Sequence, residues 1–260
     1  MAIRGSSRRA LPALIAALAL LALGGCDAAP AASTPDQRPE LGLMTSLPLY
    51  WQADAELADI AAGRAIPPWQ RRAIETRFVL VPLDTLSPVP ALSPDAPDTD
   101  PLAGLARLAV IQPRGLAPAD NVALDAWVRR GGRLLLVLDP MLTGEYDGPL
   151  GDPRRPVDSA LVPPVVARWG LAISFDAAQQ PQVTQAPLGE ARLPLVLAGR
   201  IALTDAAAGQ CRLLAGAAAA SCAIGKGRAT LIADAALFEH PELAGAEGEV
   251  LLALLSSVFD

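Results

Sequence analysis

The sequence is poor in the residues from which metal sites and nucleic-acid sites are built. It contains 1 histidine, 3 cysteines and only 4% aromatic residues. Its 21 Lys and Arg residues are outnumbered by 27 Asp and Glu residues, and no basic stripe occurs in the body of the chain. Zinc sites need clustered Cys and His, and nucleic acids need clustered cations. We therefore expect no metal, no cofactor and no nucleic-acid partner.

Charged residues are scarce as well. They make up 18% of the chain, whereas hydrophobic residues make up 52%. A chain of 260 residues with this composition can bury a sizeable core, as one large domain or two small ones. The 25 prolines and 21 glycines are scattered without a fixed period. This distribution excludes collagen-like and repeat architectures.

The N-terminus has the pattern of an export signal. Residues 1–25 combine three arginines, no acid, a short apolar run over 10–23 and the pair Gly24-Gly25. The four residues Leu23-Gly24-Gly25-Cys26 resemble the lipobox of bacterial lipoproteins, which implies cleavage before Cys26 and attachment of a lipid to its sulfur. Asp27 resembles the signal for retention at the inner membrane. We therefore expect a periplasmic protein, lipid-anchored to the inner membrane; an ordinary signal peptide followed by an incidental cysteine is the alternative.

Two further expectations follow from export. Residues 26–40 are rich in Ala, Pro, Ser and Thr, which predicts a flexible tether. The remaining cysteines, Cys211 and Cys222, would lie in an oxidising compartment, where an even pair favours a disulfide. The segment between them can fold back as a hairpin, and two buried free thiols are the alternative.

Apolar runs bounded by polar residues predict the strands of the mature chain. Residues 105–116 and 133–140 are such runs, and the segment between them (117–132) has helical spacing. Strand, helix and strand with continuous apolar strands are typical of a parallel sheet covered on both faces. Short strands and turns at about 176–224 predict a β-rich insertion. We therefore predict a single α/β domain over 41–260, with a mostly parallel sheet flanked by helices.

Polar side chains stop several of these strands at what should be one edge of the sheet. Ligand sites of open parallel sheets lie outside the carboxyl ends of the strands. The crevice predicted there consists of Thr45, Ser46, Tyr50, Trp51, Arg114, Asp139 and Asp234.

Each member of this crevice also has a structural interpretation. Asp139 precedes a proline, and an Asp in that position commonly caps a turn or helix by accepting backbone N–H groups. Asp234 has the same alternative, and Arg114 fits a solvated side chain or an ion pair with one of the acids. Tyr50 and Trp51 fit a stacking platform for a sugar or a peptide, or a cover over the core.

Two segments carry a family resemblance. LAVIQPRGLAPADNVALDAWVRRGGRLLLVLDPML (108–142) and IGKGRATLIADAALF (224–238) resemble the auxiliary domain of gliding-motility-type ABC transporters, the GldG-like family. The resemblance implies a flavodoxin-like sheet of the class I glutamine amidotransferase type. Amidotransferases carry a cysteine nucleophile at the turn that corresponds to Asp139 here. A carboxylate cannot replace that thiolate, so residues 240–242 (HPE), which resemble the amidotransferase His-Pro-Glu, are interpreted as a coincidence.

These observations favour a lipid-anchored binding subunit without enzymatic activity, beside an ABC-type membrane complex, with a glycan or a peptide as the expected ligand. A periplasmic hydrolase acting on a glycan or amide, with Asp139 and Asp234 as its acid–base pair, is the alternative. A purely structural subunit that makes contact through the insertion is the third hypothesis.

Overall fold

The structure is a computed structural model that describes residues 38–93, 95–149, 151–189 and 191–260. Residues Arg38–Asp260 form one compact unit. The predicted signal peptide, the predicted lipidation site Cys26 and most of the predicted tether lie outside the described residues.

The strand, helix and strand predicted over 105–140 are present as β3 (Arg107–Ile111), α3 (Pro118–Arg130) and β4 (Arg133–Val137). The strands are β1 (Glu40–Thr45), β2 (Val79–Pro82), β3 (Arg107–Ile111), β4 (Arg133–Val137), β5 (Leu171–Ser174), β6 (Thr184–Leu188), β7 (Ala191–Leu195), β8 (Arg200–Leu203), β9 (Cys211–Leu214), β10 (Ala219–Ile224) and β11 (Gly227–Ile232). The helices are α1 (Leu57–Ala61), α2 (Trp69–Ile74), α3 (Pro118–Arg130), α4 (Pro164–Arg168), α5 (Ala206–Gly209), α6 (Ala236–Glu239), α7 (Pro241–Ala244) and α8 (Glu249–Phe259).

The central sheet has seven strands in the order β2-β1-β3-β4-β11-β10-β9. The first five strands of this order pair in parallel, and β10 and β9 add antiparallel strands at one edge. Parallel strands are covered on both faces, which explains why β3 and β4 are continuous apolar runs without alternation. The prediction of an α/β protein with a mostly parallel sheet is confirmed.

Alternate side chains of β4 feed two hydrophobic layers, one on each face of the sheet. Leu134 and Leu136 pack in the layer that contains Trp127 of α3, whereas Leu135 and Val137 pack in the layer that contains α8. Burying a leucine of this kind contributes about 1.5–3 kcal/mol to stability. The two layers therefore hold β4 at the centre of the sheet and fix where its carboxyl end lies.

Helix α4 spans only Pro164–Arg168, in the segment that leads into β5. It begins at Pro164, with Pro163 in an extended conformation just before it. A residue that precedes a proline is disfavoured in the helical region, so Pro163 cannot continue a helix into Pro164. The segment before it is irregular and runs along the carboxyl edge of the sheet.

The segment identified as an insertion is β-rich, and part of it belongs to the central sheet. β6 and β7 form a separate two-stranded sheet, as do β5 and β8. β9 and β10 instead pair with each other, and β10 pairs with β11. No helix of the described part of the chain is long and apolar enough to span a membrane.

The two cysteines of this region form a disulfide, as the sequence favours. Cys211 in β9 and Cys222 in β10 are directly opposite each other in the antiparallel ladder. Because β9 is an edge strand with one paired side only, the bond ties the edge of the sheet to its neighbour. The two thiols are therefore used in structure and are bonded to each other.

Replacing both cysteines, by Cys211→Ala and Cys222→Ala, should lower the free energy of unfolding by about 3 kcal/mol. The reason is that the bond closes a loop with a sequence separation of 11 and restricts the unfolded chain. Urea unfolding with and without dithiothreitol measures this effect. The reductant should destabilise the wild type and leave the double variant unchanged; equal stability of the two proteins without reductant would contradict the assignment.

Candidate functional site

Asp139 and Asp234 lie side by side, at the carboxyl ends of the neighbouring strands β4 and β11. Asp139 is fully buried and Asp234 is 3% exposed. The Asp139 carboxylate accepts the N–H of Met141 at 2.8 Å and the N–H of Ala235 at 2.7 Å, so it joins the ends of the two strands. Each of its two oxygens thus accepts one backbone N–H.

The carboxylate of Asp234 is used in the same way. One oxygen accepts the N–H of Val196 at 2.7 Å, and the other accepts the N–H of Ala236 at 2.8 Å. The second bond lies at the start of α6, where the free N–H groups of a helix need acceptors. Of the two interpretations left open by the sequence, the geometry matches the capping one for both acids.

Burial of this pair changes its proton affinity. Removal from water, reinforced by the negative charge of Asp234, raises the pKa of Asp139 to about 8. Burial also raises the pKa of Asp234 to about 7, although its two backbone hydrogen bonds favour the charged form. The desolvation of a carboxylate outweighs these bonds, so the pair retains protons up to neutral pH.

Gln112 completes the junction between the strand ends. Its side-chain amide accepts the N–H of Asp139 at 2.8 Å and donates to the carbonyls of Asp139 and Val157, both at 3.0 Å. Its backbone has a φ of 44°, in the left-handed region that non-glycine residues seldom adopt. Three hydrogen bonds to a fully buried side chain hold it there. Gln112 is thus a structural clamp between β3 and β4.

The other residues of the predicted crevice do not converge on the two acids. The Thr45 hydroxyl accepts the N–H of Leu47, and the Ser46 hydroxyl donates to the carbonyl of Gln112 at 2.5 Å. The Arg114 guanidinium donates to the carbonyls of Pro153 and Arg155 in the loop after β4.

Tyr50 and Trp51 form an edge-to-face pair with ring centroids 5.3 Å apart. The guanidinium of Arg71 lies over both rings, 4.0 Å from the Tyr50 centroid and 4.7 Å from that of Trp51. The ring faces that a sugar or peptide would need for stacking are therefore shared with a cation of the protein itself.

A third carboxylate, that of Glu239 at the end of α6, organises the loop after β4. It accepts the N–H of Thr143 at 3.1 Å, the N–H of Gly144 at 3.0 Å and the hydroxyl of Tyr146 at 2.7 Å. Burial, together with the charge of Glu239, raises the pKa of Tyr146, so its hydroxyl remains a donor at every physiological pH. A side chain at Gly144 would lie 2.7 Å from a Glu239 oxygen, so it would displace the Glu239 carboxylate from its present position.

His240 follows directly and meets the same loop. Its Nε2 lies 2.9 Å from the Thr143 hydroxyl, and its Nδ1 lies 3.4 Å from a carboxylate oxygen of Glu242. The sulfurs of Cys211 and Cys222 are joined to each other, so the histidine has a hydroxyl and not a thiol beside it. The N–H groups of Thr143 and Gly144 in the same loop both donate to the Glu239 carboxylate.

An open cleft of about 450 Å³ lies beside Glu239 at this edge of the sheet. Its walls come from the segment after β1, from α2, from the loop after β4 and from α6. Asp139, Asp234 and Arg114 are absent from its lining, whereas Gln70, Tyr146 and Glu239 belong to it. The candidate binding site is therefore next to the predicted crevice and uses other side chains.

Sequence reasoning singled out neither Gln70, nor Tyr146, nor Glu239. One available signal was the irregular loop 143–156, because long loops in compact domains are often functional. A second signal was Glu239, the acidic residue that ends the apolar segment after Asp234. Neither signal indicates that the loop and the helix meet.

No protein-family model and no curated protein sequence matches the chain. Among solved structures, an exo-β-1,4-mannosidase from Opitutaceae bacterium strain TAV5 matches with a TM-score of 0.48 and 14% identity, over 86% of this chain and 36% of that one. A cold-adapted β-galactosidase from Rahnella sp. R3 matches with a TM-score of 0.45 and 13% identity, over 84% and 31%. A cytoplasmic protein from Salmonella typhimurium LT2 matches with a TM-score of 0.44 and 10% identity, over 74% and 86%.

The expectation that the chain has no enzymatic activity is contradicted by the matches to glycoside hydrolases, and it is withdrawn. The chain spans about a third of the length of the mannosidase and of the β-galactosidase. With TM-scores below 0.5, these matches assign neither a substrate nor a reaction to it.

The Asp139–Asp234 pair should make the protein less stable as the pH rises. The pKa values of both groups are raised in the folded state, so the folded chain binds more protons than the unfolded chain between about pH 4 and pH 8. The stabilisation is complete below the ordinary pKa of 3.8 and is lost as the pH rises through about 7 to 8. Asp139→Asn removes one of the two protons, so the slope of unfolding free energy against pH should decrease by up to about 1.4 kcal/mol per pH unit.

Urea unfolding at pH 5, 6.5 and 8 measures this slope. Asp120→Asn is the matched control: burial opposes the shift, but hydrogen bonds from Thr85, Leu86 and Ser87 lower the pKa of Asp120. The stabilisation that Asp120 supplies is lost only below its ordinary pKa. The slope of unfolding free energy against pH for Asp120→Asn should therefore match that of the wild type between pH 5 and 8. Parallel curves for the wild type and Asp139→Asn would show that Asp139 does not titrate in this range.

Proposed function

We propose that this chain is a lipid-anchored domain outside the cytoplasm that binds a polar ligand in the cleft beside Glu239. The observation that carries the proposal is the cleft itself, built at the carboxyl edge of a mostly parallel sheet. Open parallel sheets bind ligands at this edge, next to the point where the strand order reverses.

The order of the five parallel strands supports a flavodoxin-like arrangement. β2-β1-β3-β4-β11 corresponds to the order 2-1-3-4-5 of that fold, with β11 as the fifth parallel strand. The order reverses between β1 and β3, and the segment after β1 supplies Pro48, Ala53 and Asp54 to the cleft. The proposed fold and the proposed site are therefore consistent with each other.

Two features support a location outside the cytoplasm. The segment Leu23-Gly24-Gly25-Cys26 has the lipobox pattern. The disulfide between Cys211 and Cys222 is a bond that persists in oxidising compartments and is rare in the reducing cytoplasm. Lipid chains on Cys26 would hold the domain at a membrane surface.

An ABC-type transport system is the proposed membrane partner. The warrant is the resemblance of residues 108–142 and 224–238 to the GldG-like auxiliary family. In the structure these two segments contribute β3, α3, β4 and β11, which form the centre of the domain.

Hydrolysis of a glycan or an amide is the second candidate function. Glycosidases place two carboxyl groups on opposite sides of the substrate, about 5–9 Å apart. Asp139 and Asp234 are buried and bonded to backbone groups, whereas Glu239 and other acids line the open cleft. If the chain hydrolyses a substrate, we propose that acids of the cleft carry the reaction and that the buried pair does not.

Cys26→Ala should move the protein from the membrane fraction to the soluble fraction of a bacterial host, since it removes the proposed site of lipid attachment. Fractionation and immunoblotting measure the shift. More than 90% of the protein should leave the membrane fraction if two or more acyl chains supply the binding, whose free energy is on the order of several kcal/mol. Cross-linking in intact membranes should also capture the subunits of one ABC transporter with the wild type and not with Cys26→Ala.

The control for this experiment is the double variant Cys211→Ala and Cys222→Ala, which changes the other cysteines and should remain with the membrane. Unchanged partition of Cys26→Ala would remove the anchor from the proposal. Captured proteins that include no transporter subunit would remove the partner.

Glycoside hydrolysis separates the two candidate functions. If chromogenic mannosides or galactosides are hydrolysed, Glu239→Gln should abolish turnover. Asp139→Asn should keep turnover within about threefold at pH 6, with circular dichroism used to show that both variants are folded. Purified wild-type protein, the two variants and a heat-inactivated sample are compared. Loss of turnover in Asp139→Asn with Glu239→Gln fully active would restore the buried pair as the catalytic one.

A further inference from the structure

The cleft beside Glu239 carries an excess of negative charge. Five carboxylates line it, those of Asp54, Glu145, Asp147, Asp152 and Glu239, against the guanidinium groups of two arginines. An acidic concave surface with low-dielectric walls concentrates cations.

The arginines do not neutralise this excess. Arg154 forms an ion pair with Asp152 at 3.0 Å, and Arg155 forms one with Asp158 at 2.8 Å. Within the part of the chain that the structure describes, Asp54, Glu145 and Asp147 form no ion pair. A ligand with a positive group therefore meets three carboxylates that are available to it.

Gln70 at the cleft adds an independent indication that points to a hydrogen-bond donor. Gln70 is 6% exposed, and its amide nitrogen donates to the carbonyl of Phe238 at 2.8 Å. Because that carbonyl can only accept, the bond fixes which end of the amide is the oxygen. The Gln70 oxygen then has no hydrogen-bond partner among the described residues. A buried acceptor of this kind costs about 1–3 kcal/mol until a donor reaches it.

Arg155 contributes the complementary feature. Its Nε is a buried donor without a hydrogen-bond partner in the described residues, although its terminal nitrogens bind Asp158 and the carbonyl of Tyr146. A ligand that satisfies the cleft therefore offers a donor to Gln70 and an acceptor to Arg155.

We propose that the cleft binds the free N-terminus of a peptide. The α-ammonium group supplies a positive charge and three donors, which suit the acids and the Gln70 oxygen. The carbonyl of the first residue supplies an acceptor for Arg155. The first side chain fits beside Pro48, Ala53 and Phe238, which give the cleft its apolar wall.

Other ligand classes match these groups less well. A carboxylate or phosphate would be repelled by the acids. A bare metal ion needs clustered ligands, and the described residues contain no group of three or more Asp, Glu, His or Cys side chains that could hold one. A neutral sugar can donate its hydroxyls to the acids, but it does not neutralise their charge. The inference rests on the binding role proposed above for the cleft and specifies its ligand.

Isothermal titration of the detergent-solubilised full-length lipoprotein at pH 6 tests the inference. The probes are trialanine amide, its N-acetylated form and glucosamine; at this pH the α-ammonium group is charged. Trialanine amide should bind saturably, more weakly as salt increases. The acetylated peptide should bind about 10- to 100-fold more weakly, because it lacks the charge and two of the donors.

Variants locate the binding. Asp54→Asn combined with Asp147→Asn should raise the Kd of trialanine amide about three- to tenfold, and Asp95→Asn, an exposed acid outside the cleft, should leave it unchanged. Gln70→Met should raise it about tenfold or more, with melting temperature and circular dichroism used to show that the variant is folded.

Equal Kd values for the free and acetylated peptides, or no binding of either, would overturn the inference. Binding of glucosamine in place of the peptide would also overturn it, by assigning the cleft to amino sugars. Membrane partition and transporter capture are separate measurements, so they test the anchor and the partner whatever the peptide result.

Discussion

The backbone N–H groups at the carboxyl ends of β4 and β11 need acceptors in a place that water does not reach, and two carboxylates supply them. The Asp139 carboxylate accepts the N–H of Met141 in its own turn and that of Ala235, which follows β11. The Asp234 carboxylate accepts the N–H of Val196 and that of Ala236 at the start of α6. Without these acceptors, buried N–H groups would each cost about as much as a lost hydrogen bond. The carboxylates are therefore retained although burial makes them reluctant to ionise.

This junction determines where the candidate site lies. Asp234 accepts the N–H of Ala236 at the start of α6, and Glu239 at the end of the same helix meets the loop after β4. That loop is in turn held by Tyr146 and by Arg155, and both line the cleft. The two buried acids thus act on the site only through position, whereas Glu239 and Gln70 line the cleft. The distinction separates residues that build the edge of the sheet from residues that bind.

Much of the fold was predictable, because β3, α3 and β4 follow from local periodicity. The position of Asp139 at the end of a buried strand was predictable as well, but its role depends on which N–H groups surround it. Ala235 lies 96 residues away in sequence, and Tyr146 is 93 residues from its partner Glu239. Contacts of this range leave no local pattern. The predicted crevice failed to converge because Arg114 binds carbonyls of the loop after β4, and the Tyr50–Trp51 pair packs against Arg71 of α2.

The charge of the chain connects the proposed anchor with the proposed site. Removing residues 1–25 takes away three arginines and no acid, so the remainder is more acidic than the formal −6 of the full sequence. Anionic lipid headgroups repel such a domain over about a Debye length. If Cys26 carries lipid chains, the anchor keeps the protein at the membrane while this repulsion keeps the acidic domain from lying flat on it. An acidic cleft then remains accessible to cationic groups in solution, and the same charge that draws an ammonium group to the cleft prevents the bilayer surface from covering it.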